Sequence, residues 1–308
     1  VRDVGGKVIN LLAKGSEKHC RIQLRSTPEA HYAKVAREIR TANEMGLTVN
    51  VYLEDWSNGM KDSHDYVFAL VDALSQYPVR RIMLPDTLGV LNPLQVHEFV
   101  SAMTQRYPQT HFDFHAHNDY DLAVSNAIAA AMAGCRCLHT TINGLGERAG
   151  NAPLSSIQAI LKDHFHIHTN IDESRLNEAS RVVESYSGIS IPANEPIVGE
   201  HVFTQVAGIH ADGDNKQNLY CNDLLPERFG RKREYALGKN SGKASIRKNL
   251  EALGLQLDED AMRKVTQRII ELGDKKEEVT PEDLPYIVSD VLKHDVKEEL
   301  VKLKKLAN

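Results

Sequence analysis

What this chain lacks narrows its function first. Its 308 residues hold 4 cysteines (Cys20, Cys135, Cys137 and Cys221) in no paired framework, which argues against a disulfide-built secreted scaffold. Cys135 and Cys137 are too closely spaced for a zinc knuckle and fall within a predicted strand, so they read as buried, reduced thiols in a cytoplasmic protein. A surplus of positive charge is also missing. The formal net charge of -5 excludes a general nucleic-acid binder, which needs a basic surface. No apolar run reaches membrane-spanning length and no signal peptide opens the chain, so no membrane partner is expected. Neither a Gly-x-Gly-x-x-Gly nor a Walker-type loop is present to serve nucleotide binding. There is no initiator Met, and the first residues, Val1 to Gly6, read as the end of a helix, as though the chain began mid-domain. What remains, 42% hydrophobic and 26% charged, suits one large α/β domain with a smaller appendage.

Short β-rich apolar runs alternate with longer stretches of helical periodicity. Strands are expected at 8–12, 49–53, 81–84, 111–115 and 137–142. Helices are expected at 28–45, 64–76, 93–106 and 122–133. Thr27 and Pro28 suit the start of the first, Ser63 caps the second, Asn92-Pro93 opens the third and Gly134 ends the fourth. Repeated β-then-α means a parallel sheet with helices outside. Polar residues cluster just after the strands: Lys14, Glu54 and Asp55, Asp86 and Thr87, 117–119 and 143–151. Barrels and open sheets both build sites on that edge. The expected fold is a (β/α)₈ TIM barrel of which the last five β/α units are visible, followed by a mostly α-helical subdomain. Its expected divisions are the barrel part at 1–165, a linker subdomain at 166–233 and a helical subdomain at 234–308.

The stretch from Phe112 to Asp119 carries the chemistry. Side chains alternate along a strand, so His115 and His117 share a face, with Asp113 behind them. Phe112, Phe114 and Ala116 take the opposite face, under helices. Two imidazoles converging at a strand end suit a divalent metal. By the same alternation Glu54 shares a face with Tyr52 and Asn50. An inward carboxylate there can orient or act as a base, or form a salt bridge to a barrel lysine or arginine.

Six segments occur in order: Val51-Tyr52-Leu53-Glu54-Asp55, Leu84-Pro85-Asp86-Thr87-Leu88-Gly89, His115-Ala116-His117-Asn118-Asp119, Thr141 to Ala152, Gly208 to Gly213 and Tyr235 to Lys243. Together they resemble the 2-isopropylmalate synthase family, which includes citramalate and homocitrate synthases. The resemblance spans nearly the whole chain. It implies a divalent metal (Mn²⁺, Mg²⁺ or Zn²⁺), acetyl-CoA as co-substrate, a 2-oxo acid and a homodimer that exchanges subdomains. The family's first-strand motif, whose aspartate completes the metal shell and whose arginine holds the 2-oxo acid, is absent, because the chain begins at what resembles the fourth strand.

The resemblance also implies roles. Asn151 joins His115 and His117 as a metal ligand. His210 is the candidate base, assisted by Glu54 and Asp212, with Tyr235 approaching the same site. The alternative for His210 is a loop histidine that only orders its glycine-rich segment. Thr87 contacts the substrate carboxylate, while Leu12 and Tyr52 line the keto-acid pocket. Asn143, Glu147 and Arg148 contact acetyl-CoA, or Glu147 and Arg148 lock their own loop.

The expected reaction is a Claisen condensation of acetyl-CoA with 2-oxoisovalerate, followed by thioester hydrolysis. Condensation with pyruvate to (R)-citramalate stands nearly equal, because Leu12 and Tyr52 leave little room beyond a methyl group. Homocitrate synthesis is disfavoured for want of a basic residue to meet a distal carboxylate. Two other classes stay open: a metal-dependent superfamily lyase, and a non-catalytic protein that binds CoA esters.

Overall fold

The computed structural model describes residues 1–206, 213, 219–277 and 279–292. The chain forms two compact units, one of residues 1–171 with 185–188, the other of 172–184 with 189 onward.

In the first unit five strands form one parallel sheet in sequential order, β1 (Val8–Lys14), β2 (Thr48–Glu54), β3 (Val79–Asp86), β4 (Phe112–Ala116) and β5 (Cys137–His139). The intervening helices are α1 (Pro28–Glu44), α2 (Trp56–Asp62), α3 (His64–Leu74), α4 (Pro93–Arg106) and α5 (Ala123–Met132), with α6 (Leu154–Phe165) after β5. This is part of a (β/α) barrel. Two helix starts follow the sequence closely: the Thr27 side chain accepts from the Ala30 N–H, and Asn92 and Gln95 form a reciprocal capping box. Ser63 makes no side-chain cap bond, and α2, directly after β2, is an element the periodicity did not show. The last strand is shorter than expected, because the chain leaves the sheet after His139 and turns through a 3₁₀ segment at Ile142–Gly144.

Strand alternation divides the sheet as predicted. Val49, Val51, Leu53, Ile82, Leu84, Phe112 and Phe114 are buried with Trp56, whose indole meets Phe99 and Phe114 edge-on. The opposite face carries Asn50, Tyr52, Glu54, Asp113 and His115.

In the second unit α7 (Leu176–Ser187) lies mostly within 172–184, and β6 (Thr204–Gln205) pairs with β7 (Glu234–Tyr235). Helices α8 (Lys243–Ala252), α9 (Glu259–Asp274) and α10 (Leu284–Leu292) close on Ile246, Leu250, Met262, Val265, Ile269, Leu284 and Val288. Elsewhere in this unit the Arg228 guanidinium and the Glu173 carboxylate meet in a bidentate pair at 2.6 and 2.7 Å.

Candidate active site

The His115 and His117 rings stand 5.0 Å apart, nearly perpendicular, at the C-terminal end of β4. Burial, with the neighbouring His117 and His139, lowers the His115 pKa to about 4, so its imidazole is neutral and free to donate a lone pair near pH 7. Burial also lowers His117, helped by the Arg148 charge. Asn151 comes to the same place through the chain. The loop after β5 folds back so that Asn151 forms an antiparallel bridge with His117, and the Asn118 N–H donates to the Gly150 carbonyl at 2.9 Å.

Two buried atoms here have no hydrogen-bond partner among the described residues: His117 Nδ1 and Asn151 Oδ1. Unmade bonds at buried polar atoms are costly. Two neutral imidazoles and an amide oxygen are a donor set that fits a divalent cation. Asn151 is itself fixed by its Nδ2, which donates to the Leu145 carbonyl at 3.0 Å. Gly146 makes room for it, since a Cβ there would collide with the Asn151 amide.

Beside this pair lies a second donor group the sequence reading passed over. Asp113, Cys137 and His139 bring ligand atoms within 4.8 Å of one another. His139 Nε2 lies 3.3 Å from Asp113 Oδ2, and the His139 ring is 5.7 Å from that of His115. Burial alone would raise the Asp113 pKa, but the His139 hydrogen bond and the charges of His139, Arg81 and His111 outweigh it and hold the carboxyl below its usual range. Arg81 already approaches Asp113 Oδ2 at 3.4 Å, so a cation bound there competes with an ion pair. Strand register assembles this group, with Asp113 opposite Cys137 and His115 opposite His139, and no local sequence signal announces that pairing.

Tyr52 leans its ring edge on His115, with centroids 6.0 Å apart, and burial with the Glu54 charge pushes its phenol up to about 12. Leu12 lies in register with Tyr52. Glu54 is ion-paired with Lys14, the residue opposite it on β1. The Thr87 hydroxyl accepts from the Asp55 N–H at 2.9 Å, and Asp86 orders its loop by accepting from the Val90 and Leu91 N–H groups at 2.9 and 3.0 Å. Arg148 lies 3.7 Å from the carboxylate of its neighbour Glu147, a long ion pair. Its closer partner is Asp119, with which it forms a bidentate pair. Asn143 adopts φ +59 within its turn. Tyr235 lies on β7 of the second unit, and His210 and Asp212 lie outside the described residues.

The HMGL-like family matches residues 3–183, and the homocitrate synthase post-HMGL domain-like family matches 197–277. The chain belongs to the HMGL-like family. A 2-isopropylmalate synthase of Sulfurisphaera tokodaii is 34% identical over 90% of this chain and 71% of its own length. A homocitrate synthase of Sulfolobus acidocaldarius is 35% identical over 82% of this chain and 53% of its own. A Methanopyrus kandleri relative with a citramalate synthase name is 34% identical over 92% and 55%. The chain therefore spans about half the length of two of the curated relatives it matches. Among solved structures, an HMG-CoA lyase of Bacillus subtilis superposes with TM-score 0.55 at 23% identity, covering 62% of this chain and 66% of that one. At that identity the likeness shows the barrel fold alone. No helix among the described residues is long and apolar enough to cross a membrane.

Proposed function

We propose that this HMGL-like chain carries the catalytic half-barrel of a metal-dependent synthase that condenses acetyl-CoA with a 2-oxo acid and releases CoA by hydrolysis. The observation that carries the reading is the convergence of His115, His117 and Asn151, with buried unpaired donor atoms, beside Tyr52. A divalent ion held there would polarise the ketone of the 2-oxo acid. The chain's own residues do the rest. Tyr52 and Leu12 shape the wall met by the 2-oxo acid side chain, and Thr87 offers its hydroxyl proton to the carboxylate. By the family resemblance, His210 takes a proton from the acetyl methyl, assisted by Glu54 and Asp212, and Tyr235 is a further catalytic residue. Asn143, Glu147 and Arg148 border the acetyl-CoA side. The proposed assembly is a cytoplasmic homodimer that exchanges subdomains, which rests on the family resemblance.

Relatives named as citramalate, homocitrate and 2-isopropylmalate synthases match with similar identity. We take 2-oxoisovalerate as the substrate and pyruvate as the near-equal second, favoured by the bulk of Tyr52 and Leu12. The test is CoA release, followed with a thiol reagent, by the protein in its full-length context with Mn²⁺ or Mg²⁺. Acetyl-CoA is supplied with 2-oxoisovalerate, pyruvate or 2-oxoglutarate separately. Release with 2-oxoisovalerate supports the 2-isopropylmalate synthase reading, and release with pyruvate alone makes the protein a citramalate synthase. No release with any of the three shifts the reading to a superfamily lyase or a CoA-ester-binding protein.

A further inference from the structure

Lys14 is the last residue of β1 and lies in register with Glu54, the last of β2. Its backbone is held on both sides. The Lys14 N–H donates to His31 Nε2 at 3.2 Å, and the Lys14 carbonyl accepts from the Tyr66 hydroxyl at 2.8 Å. Both partners are buried, on α1 and α3 respectively. The next residue closes the strand ends, as the Gly15 N–H donates to the Glu54 carbonyl at 2.6 Å. Only glycine fits there, because a Cβ would lie 2.5 Å from the Leu53 carbonyl oxygen.

The strand ends are thus joined and anchored without any side-chain charge. Yet the Lys14 ammonium is carried here, 8% exposed as a residue, against a Glu54 side chain that is 25% exposed. Burying an ammonium is costly and is tolerated only with a partner. The partner is Glu54 Oε2, and among the described residues Oε1 has no hydrogen-bond partner.

We propose that Lys14 is a positioning residue: its ammonium holds Glu54 by Oε2 so that Oε1 alone faces the reaction. This rests on the synthase reading above. A glutamate side chain left to itself samples several rotamers, and proton transfer depends on geometry within hydrogen-bond reach. The ion pair fixes which oxygen receives the proton or orients the base that does.

The experiment compares Lys14→Met and Lys14→Arg in the full-length protein, reading kcat, the KM for the 2-oxo acid, and thermal unfolding. Lys14→Met should lower kcat about a hundredfold with the KM and the unfolding temperature little changed, and Lys14→Arg should recover much of the loss. A second arm acylates surface amines of the native protein briefly and reads Lys14 by mass spectrometry. Lys14 should be slow to react in the parent and faster in Glu54→Gln. Parent-like kcat in Lys14→Met overturns the proposal, as does a loss that follows unfolding and is no better in Lys14→Arg. If the parent condenses no 2-oxo acid, the synthase reading fails. The labelling arm then decides the pair by itself, and unchanged Lys14 reactivity in Glu54→Gln refutes it.

Discussion

Arg148 grips Asp119 with two nitrogens, Nε at 2.8 Å from Oδ1 and Nη2 at 2.9 Å from Oδ2. The same Nη2 donates to the Thr87 carbonyl at 2.9 Å. One guanidinium therefore ties together the loops that follow β3, β4 and β5. His117 and Asn151, the proposed ligands, sit on two of those loops, so their relative placement depends on a residue outside the proposed ligand set.

Arg148→Lys keeps the charge but loses the fork that two carboxylate oxygens require. Metal affinity should fall about tenfold, the usual cost of disturbing groups that orient ligands. Isothermal titration with Mn²⁺ measures it, and unchanged affinity would show the loops hold their places without the guanidinium.

His115→Ala and His117→Ala should each abolish stoichiometric metal retention after dialysis, read by elemental analysis. Cys137→Ser should leave it intact, because that thiol belongs to the neighbouring group, where Arg81 already opposes a cation. The reverse pattern would place the metal on Asp113, Cys137 and His139.

Gly146→Ala tests the close approach at Asn151 without removing any of the proposed ligands. A Cβ there would collide with the Asn151 amide, so the side chain must move. Metal affinity should drop by about an order of magnitude while far-ultraviolet circular dichroism stays the same. Retained affinity would remove Asn151 from the ligand set.

His31 makes stability depend on pH with a definite sign. Burial holds its pKa below the ordinary 6.5, and Nε2 must stay unprotonated to accept from Lys14. Below 6.5 the unfolded chain takes up a proton that the folded chain resists, so stability is present above that value and falls as pH drops toward the folded pKa. Urea midpoints should therefore decline from about pH 7 to about pH 5. His31→Gln, which offers an amide oxygen instead, should show a shallower decline. Equal slopes would assign the effect to other groups.

Much of the fold was legible because it depends on near neighbours in sequence. Alternation put His115 with His117 and the two phenylalanines under the helices, and Thr27 and Asn92 marked helix starts that the structure bears out. Short-range signals failed where a long-range contact decides. β5 ends at His139 because its chain leaves to bridge His117 through Asn151, and nothing local in 137–142 announces that departure. Adjacency in sequence pointed to Glu147 as a partner of Arg148, which the fold keeps as a long ion pair, but it gave no sign of Asp119, the closer partner.

The sequence by itself determined which residues are chemically able to form the site and which face of each strand they occupy, because backbone pleating imposes that alternation wherever a strand forms. Only the tertiary structure decided their partners. Parallel strands come from segments separated by a whole helix, and their register is set by how those helices pack on the sheet. That register puts Lys14 on Glu54 and His139 beside His115, and no periodicity within either strand encodes it.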